Sequence, residues 1–266
     1  IATGGFSSKS GSIGSYNNVN LEALTILFMI LASLPFVLYL KAIRGKPKDL
    51  IGDQQVQGFF KILVVSILIV VFYLFLTSNF TFTEILRYSL FNVTSILTGT
   101  GFTSTNYNDW GTPIILLFLF ITFIGGCAGS TTCGVKIFRL QIVFNNSKEM
   151  ISKLISPNRV VNKRYNGEHL SPEITQSVIT FLFIFILTFI VLSILLSFTG
   201  LDLLTAFSAA ATSISNVGPG LGQVIGPAYS FSQIPEIAKW LLSFGMLAGR
   251  LEFLTLIVIF NKSFWR

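Results

Sequence analysis

LTGTGFTSTNYNDWGTP, residues 97–113, lies between two apolar stretches that are each candidates to cross a membrane. Glycines, threonines and an asparagine-rich tail do not belong where backbone N–H and C=O groups find no water to bond. So apolar a chain must have a reason to interrupt its helices with a polar, glycine-punctuated return. The first point is whether it does so more than once.

Composition sets the class. Of 266 residues, 52% are hydrophobic and 11% are charged, against roughly 25% charged in a soluble domain. Five apolar segments approach the roughly 20 residues needed to cross a bilayer core: residues 21–40, 59–77, 113–139, 174–198 and 235–261. Thr112-Pro113, Pro235-Glu236 and Asn20 before Leu21-Glu22 supply helix-start signals. This is an all-α integral membrane protein, in contact with the lipid bilayer. The net charge of +7 serves topology rather than nucleic acid. Lys41, Arg44, Lys46, Lys48 and Lys61 crowd the first connection, and Lys136, Arg139, Lys148, Lys153, Arg159, Lys163 and Arg164 follow the third span. Lys262 and Arg266 close the chain, whereas the opposite connections hold only Lys9, Arg87 and Lys239. The positive-inside rule places the basic connections in the cytoplasm. Two Cys and one His supply neither a disulfide framework nor a zinc shell.

The return at 97–113 has relatives in the chain. IATGGFS (1–7), TGTGFTS (98–104) and SNVGPGLG (215–222) each precede a polar outer segment and an inner span. The two complete copies follow short apolar segments, FTEILRYSLFNVTSIL (82–97) and LDLLTAFSAAATSI (201–214). These are too short to span and predict half-helices that end at the return strands. The unit is outer helix, descending helix, glycine-bearing strand, inner helix, with 97 residues from Gly4 to Gly101 and 117 from Gly101 to Gly218. One glycine turn at a helix end is ordinary, but three at the same place in a repeating unit are not. A ring of such strands presents carbonyl oxygens that replace the water shell of a cation. Glycine permits the positive φ that turns those carbonyls inward, and the descending helices aim their partially negative C-termini at the cavity.

Together IATGGFS, LTGTGFTST, GGCAGSTTCG, SNVGPGLG and MLAGRLE resemble the Trk/Ktr/HKT superfamily of potassium transporters, most closely its bacterial TrkH branch. The resemblance covers essentially the whole chain. It implies membrane-helix, pore-helix, filter-strand, membrane-helix units around a central pore, four in the family. The filter would be Ala2-Thr3-Gly4, Gly99-Thr100-Gly101 and Asn216-Val217-Gly218, with backbone carbonyls before each last glycine as the potassium ligands. Potassium is then the transported ion, with no cofactor bound by this chain.

Residues 1–50 read as the end of one repeat, 51–139 as a complete repeat, 140–173 as a cytoplasmic connection and 174–266 as a second complete repeat. Extending the period backwards predicts that about one and a half repeats are missing and that this is the C-terminal part of a TrkH-like protein. The missing N-terminal repeat, supplied by another fragment, or completion between copies is then needed for transport. The resemblance also implies a bacterial inner-membrane location with the filter facing outward, a homodimer, and a cytoplasmic TrkA-type nucleotide-binding ring docked on the basic connection.

GGCAGSTTCG (125–134) interrupts the third span. Four glycines in ten residues disfavour a continuous helix. Close helix packing through small residues is one reading; the resemblance implies an intramembrane gate built on Gly125, Gly126, Gly129 and Gly134. Arg250 sits midway along the last predicted span. An arginine there costs about 2.5–3.5 kcal/mol on insertion scales, so it should face water or a partner. Glu252 is two residues away and on a different helix face. The resemblance puts Arg250 in the pore below the filter, beside the gate. Glu84 and Asp202, near the starts of the descending helices, read as dipole partners, and His169 as a solvated loop residue. A sodium-conducting relative and a transport-inactive fragment or structural subunit are the alternatives. An intramembrane enzyme is disfavoured, because no paired acids or serine–base arrangement is visible.

Overall fold

The computed structural model describes residues 3–9, 11–156, 164–251, 258 and 262–265. Ala2 and the far part of the last predicted span, residues 252–257 and 259–261, lie outside them. Helix α1 (Val19–Ser33) opens at Asn18, whose side chain accepts hydrogen bonds from the Asn20 and Leu21 amides. The first predicted span, 21–40, is not one helix. Helix α1 stops at Ser33 and α2 (Phe36–Ile43) leaves it at 94°. Pro35 lacks an N–H and crowds the preceding turn, so the ladder fails there. The groups it frees are not left bare. The carbonyls of Ala32 and Ser33 accept from the Thr131 and Cys127 amides (3.2 and 3.0 Å), and the Phe36 amide donates to the Gly129 carbonyl (3.0 Å). The bend is therefore sealed by the 125–134 loop, as backbone at membrane depth requires.

A short helix α3 (Lys48–Gly52) leads to α4 (Gln54–Thr77), capped by Asp53. Helix α4, at 24 residues, reaches about 36 Å. Together with α8 (Pro172–Ser197), it is long and apolar enough to cross a membrane, and the bent α1–α2 pair counts as a third span if taken together. Their outward faces carry exposed Leu68, Phe72 and Phe75 on α4 and Phe183, Ile186 and Ile194 on α8. A continuous exposed apolar surface of this kind belongs against lipid rather than water.

The third predicted span is broken where the glycines stand. Helix α6 (Thr112–Ile124) has 13 residues, a loop follows, and α7 (Ile137–Ile155) carries the helix 16 residues past the predicted boundary at 139. The remaining connection holds a hairpin, β1 (Arg164–Tyr165) with β2 (Glu168–His169), turned at Asn166-Gly167, both with positive φ. Asn-Gly is the dipeptide that suits such a turn. His169 is exposed on it.

The two short segments take the predicted form. Helix α5 (Phe82–Leu97) is secured at its start by Glu84, whose carboxylate accepts from the Thr81 amide and hydroxyl. Helix α9 (Leu203–Ser215) is capped by Asp202, which accepts from the Thr205 amide at 3.2 Å. Residues 91–100 and 208–215 are all buried, so the C-terminal halves of both helices form the centre of the molecule. On α5, Arg87 makes a two-pronged ion pair with the buried Glu22 of α1 at 2.7 and 2.8 Å. After a single turn, α10 (Gly222–Ile225), the chain enters α11 (Glu236–Leu251). Helix α11 packs closely on α9 because Gly245 and Gly249 face Ser213 and the Ile214 backbone. The Ser213 hydroxyl donates to the Leu242 carbonyl at 2.6 Å.

Candidate functional site

The return strands begin where α5 and α9 end. After α5 the chain turns through Gly99 (φ +64°), and the Thr100 amide reaches back to the Ser95 carbonyl at 2.9 Å. After α9 it turns through Asn216 (φ +53°), and the Val217 amide reaches back to the Thr212 carbonyl at 3.0 Å. Every position in this pair of turns is offset by 117 residues, the spacing from Gly101 to Gly218. The correspondence continues outward. The Ser104 amide donates to Asn92 Oδ1 (3.2 Å) and the Leu221 amide to Ser208 Oγ (3.0 Å), each three residues past its glycine. A polar side chain on each descending helix thus supports the far end of its strand.

The third strand, from Thr3, runs alongside. The Gly4 and Gly5 amides donate to the Thr100 carbonyl at 3.3 and 2.5 Å. All three strands meet. A Cβ placed on Gly101 (φ +77°) would fall onto the Val217 carbonyl oxygen and within 2.9 Å of the Gly5 Cα, and one on Gly218 (φ +119°) would sit 2.5 Å from the Gly4 carbonyl oxygen. Only glycine fits at these two junction points, for both conformation and space. Gly99 differs: its left-handed turn has no atom nearer than 3.9 Å to an added Cβ. Of the nine predicted filter residues, Thr3, Gly4, Gly99, Thr100, Gly101, Asn216, Val217 and Gly218 are brought into this junction; Ala2 lies outside the described residues. The Thr100 carbonyl already accepts two strand amides, whereas no strand-to-strand bond involves the Gly4 carbonyl among the described residues. A cavity of about 500 Å³ opens beside the junction, lined among others by Gly4, Phe6, Asn216, Gly218 and Met246.

Against Thr3 of the first strand lies the loop between α6 and α7. Its base is pinched shut: the Val135 and Lys136 amides donate to the Phe123 and Ile124 carbonyls (2.9 and 2.8 Å), and the Ile137 amide to the Gly126 carbonyl (2.9 Å). Gly125, Gly129 and Gly134 all have positive φ, while Gly126 takes its amide to Thr132 Oγ1 at 3.1 Å. The projecting residues 127–133 meet the α1–α2 bend already described. From α11, Arg250 Nη1 lies within 3.0 Å of the Thr131 carbonyl oxygen, 3.1 Å of Cys133 Sγ and 3.4 Å of Thr3 Oγ1. The Thr3 hydroxyl is itself 3.4 Å from the Thr131 carbonyl. One guanidinium therefore joins a return strand to the loop, and a cavity of about 180 Å³ lined by Ser130, Thr131, Cys133, Gly249 and Arg250 lies at that contact. Glu252, the neighbouring acid, lies outside the described residues.

Two further connections tie the loop and the start of α4 to the rest of the chain. Gln55 Oε1 accepts from the Ala128 amide of the loop at 2.8 Å. One residue away, the hairpin grips the start of α4: Asn166 Nδ2 donates to Asp53 Oδ2 (2.7 Å) and the Gln54 amide donates to Asn166 Oδ1 (2.9 Å). Gln141 of α7 completes the clasp, donating to the Gln54 carbonyl and accepting from the Tyr165 hydroxyl. Burial pushes the Tyr165 phenol above its ordinary range, which keeps it a neutral donor. Asn166-Gly167 in the sequence marked this turn.

A family model described as TrkH, cation transport protein, matches residues 1–266, and the chain belongs to that family. It is 43% identical over 267 residues to the Trk system potassium uptake protein TrkI of Halomonas elongata, an alignment covering all of this chain and 54% of that protein. It is 35% identical over 272 residues to the Trk system potassium uptake protein TrkH of Vibrio parahaemolyticus, covering all of this chain and 55% of that protein. The crystal structure of the potassium transporter TrkH from Vibrio parahaemolyticus matches with a TM-score of 0.92 at 33% identity, covering 98% of this chain and 56% of that one. The chain thus has the TrkH membrane transporter fold and spans about half the length of the curated relatives it matches.

Proposed function

We propose that this chain supplies pore repeats to a Trk-type potassium-uptake system in a bacterial inner membrane. The observation that carries the reading is the meeting of three glycine-bearing strands at one point, with Arg250 and the 125–134 loop against them. Carbonyls of Thr3, Gly99-Thr100 and Asn216-Val217, the residues before Gly4, Gly101 and Gly218, replace the water of a potassium ion. Sequence places Ala2 in the same strand. A further filter strand, from polypeptide outside these 266 residues, completes the ring. The strands face outward and the basic connections lie in the cytoplasm. There the 140–173 connection meets a TrkA-type nucleotide-binding ring, and two copies of the transporter pair as a homodimer. Residues 51–139 and 174–266 are the complete repeats, and 1–50 closes another. Gly125, Gly126, Gly129 and Gly134 shape the gate, and Arg250 both charges the pathway and latches the loop.

Joined to the remaining pore repeats, the chain is expected to restore growth of a potassium-uptake-deficient bacterium at low potassium. Its rubidium uptake should be suppressed by excess potassium and not by equal sodium. Equal suppression by sodium would identify a sodium-conducting relative. No cation uptake, with the protein present in the membrane, would leave a structural subunit. Either outcome overturns the proposal.

A further inference from the structure

Three elements fasten the 125–134 loop. The α1–α2 bend supplies carbonyls and Arg250 supplies a guanidinium; the third attachment, at Gln55, lies in the first turn of α4. The Ala128 amide donates to Gln55 Oε1. The Gln55 amide, with that of Val56, donates to Asp53 Oδ1 at the cap of α4. The other oxygen of that same carboxylate accepts from Asn166 of the hairpin. The hairpin is rooted rather than loose: Tyr165 is buried against Phe138, Ile142, Leu170 and Val178, between α7 and α8. An unbroken series of hydrogen bonds thus runs from a turn in the basic connection to the amide of a loop residue, 2.7 to 3.2 Å at each step.

We infer that Gln55 is a positioning residue that holds the loop closed, and that the 164–169 hairpin is the lever through which force on the cytoplasmic connection releases it. The inference deepens the gating role proposed above and rests on it. Mechanically, the hairpin cannot be drawn away from α4 without breaking the Asn166 bonds to Asp53 and Gln54. The cap that orients Gln55 then loses its second support. A loop amide deprived of its acceptor favours conformations in which it finds another partner, and the loop leaves its place more often. The device needs no side chain of the hairpin to reach the pathway.

Cys127 offers a readout independent of transport, since it is fully buried in the loop. In the completed transporter, with Cys127 as its only cysteine, a membrane-permeant maleimide measures how often the loop opens. Gln55→Leu keeps the bulk and removes the acceptor, and should raise the labelling rate about three- to tenfold, the shift expected from one net hydrogen bond in a local opening equilibrium. Asn166→Gly keeps the positive-φ turn and removes both side-chain bonds, and should raise it about threefold. The double variant should label no faster than Gln55→Leu alone, because the two act in series. Gln55→Glu, which retains an oxygen acceptor, should label as slowly as the unaltered protein. Substituting exposed Glu168 on the same hairpin should have no effect. Unchanged labelling in Gln55→Leu, or equal acceleration in Gln55→Glu, would overturn the holding role. Acceleration in Gln55→Leu without any in Asn166→Gly would overturn the lever. Rubidium uptake by the unaltered transporter is measured alongside. Its absence counts against the potassium reading, while the labelling still decides the coupling.

Discussion

Gly101→Ala is expected to reduce rubidium uptake per transporter by about a hundredfold, and Gly99→Ala by only about fivefold. Both glycines are left-handed, at φ +77° and +64°, where an L side chain costs about 1–2 kcal/mol. They differ in what surrounds them. At Gly101 the added methyl meets the Val217 carbonyl oxygen, Pro219 Cδ at 2.8 Å and the Gly5 Cα at 2.9 Å, so two other strands must move. Displacing packed backbone adds about 1–3 kcal/mol. At about 1.4 kcal/mol per decade the sum is about two decades. At Gly99 the nearest atoms are 3.9 and 4.0 Å away, so the conformational cost stands alone. Uptake normalised to the amount of each variant in the membrane makes the comparison. Equal losses would mean that conformation alone matters and that strand convergence does not govern flux.

Arg250→Ala is expected to raise normalised rubidium uptake about tenfold in the absence of any cytoplasmic partner. Two effects act in the same direction. A fixed positive charge beside a narrow path opposes a cation by about 4 kcal/mol at 4 Å when the effective dielectric constant is near 20, against about 1 kcal/mol in water. The guanidinium also ties the loop through the Thr131 carbonyl and Cys133 and reaches the first strand at Thr3. Alanine removes the charge and the ties together. Arg250→Lys keeps the charge but loses the guanidinium nitrogen, Nη1, that approaches all three groups, and should fall between the two. The filter strands are untouched, so preference among cations should change less than rate. Unchanged or lower normalised uptake in Arg250→Ala would leave Arg250 as a structural anchor.

Much of this arrangement was legible in the residues, and the exceptions have physical causes. Helix α5 was predicted over 82–97 and α9 over 201–214 because both runs are apolar, short and closed by glycine or Asn-Val-Gly. Caps at Thr81–Glu84 and Asp202 fix their starts. The break at 125–134 was legible because four glycines cannot hold a helix against so many alternatives. The bend at Leu34–Pro35 was missed although Pro35 announced it, since the apolar run continues on both sides and hydropathy cannot sense direction. Helix α7 outran its prediction because past residue 139 polar residues such as Gln141, Asn145, Asn146, Lys148 and Glu149 interrupt the apolar run, so hydropathy no longer marks the helix. Arg87 was counted only among the few outer positive charges, whereas its partner is Glu22, 65 residues earlier. No local pattern announces a pair so distant. For the same reason the site was legible as three motifs and one arginine, but the contact of Arg250 with Thr3 and the loop required the fold.

Anomalous diffraction from crystals of the completed transporter grown in rubidium decides whether the three glycine-bearing strands form a cation site. An anomalous peak is expected at the junction, within coordination distance of backbone carbonyl oxygens from residues 3–4, 99–101 and 216–218, which disappears when potassium replaces rubidium. Diffraction showing no peak at these strands, or rubidium held elsewhere along the path, would contradict a cation site there.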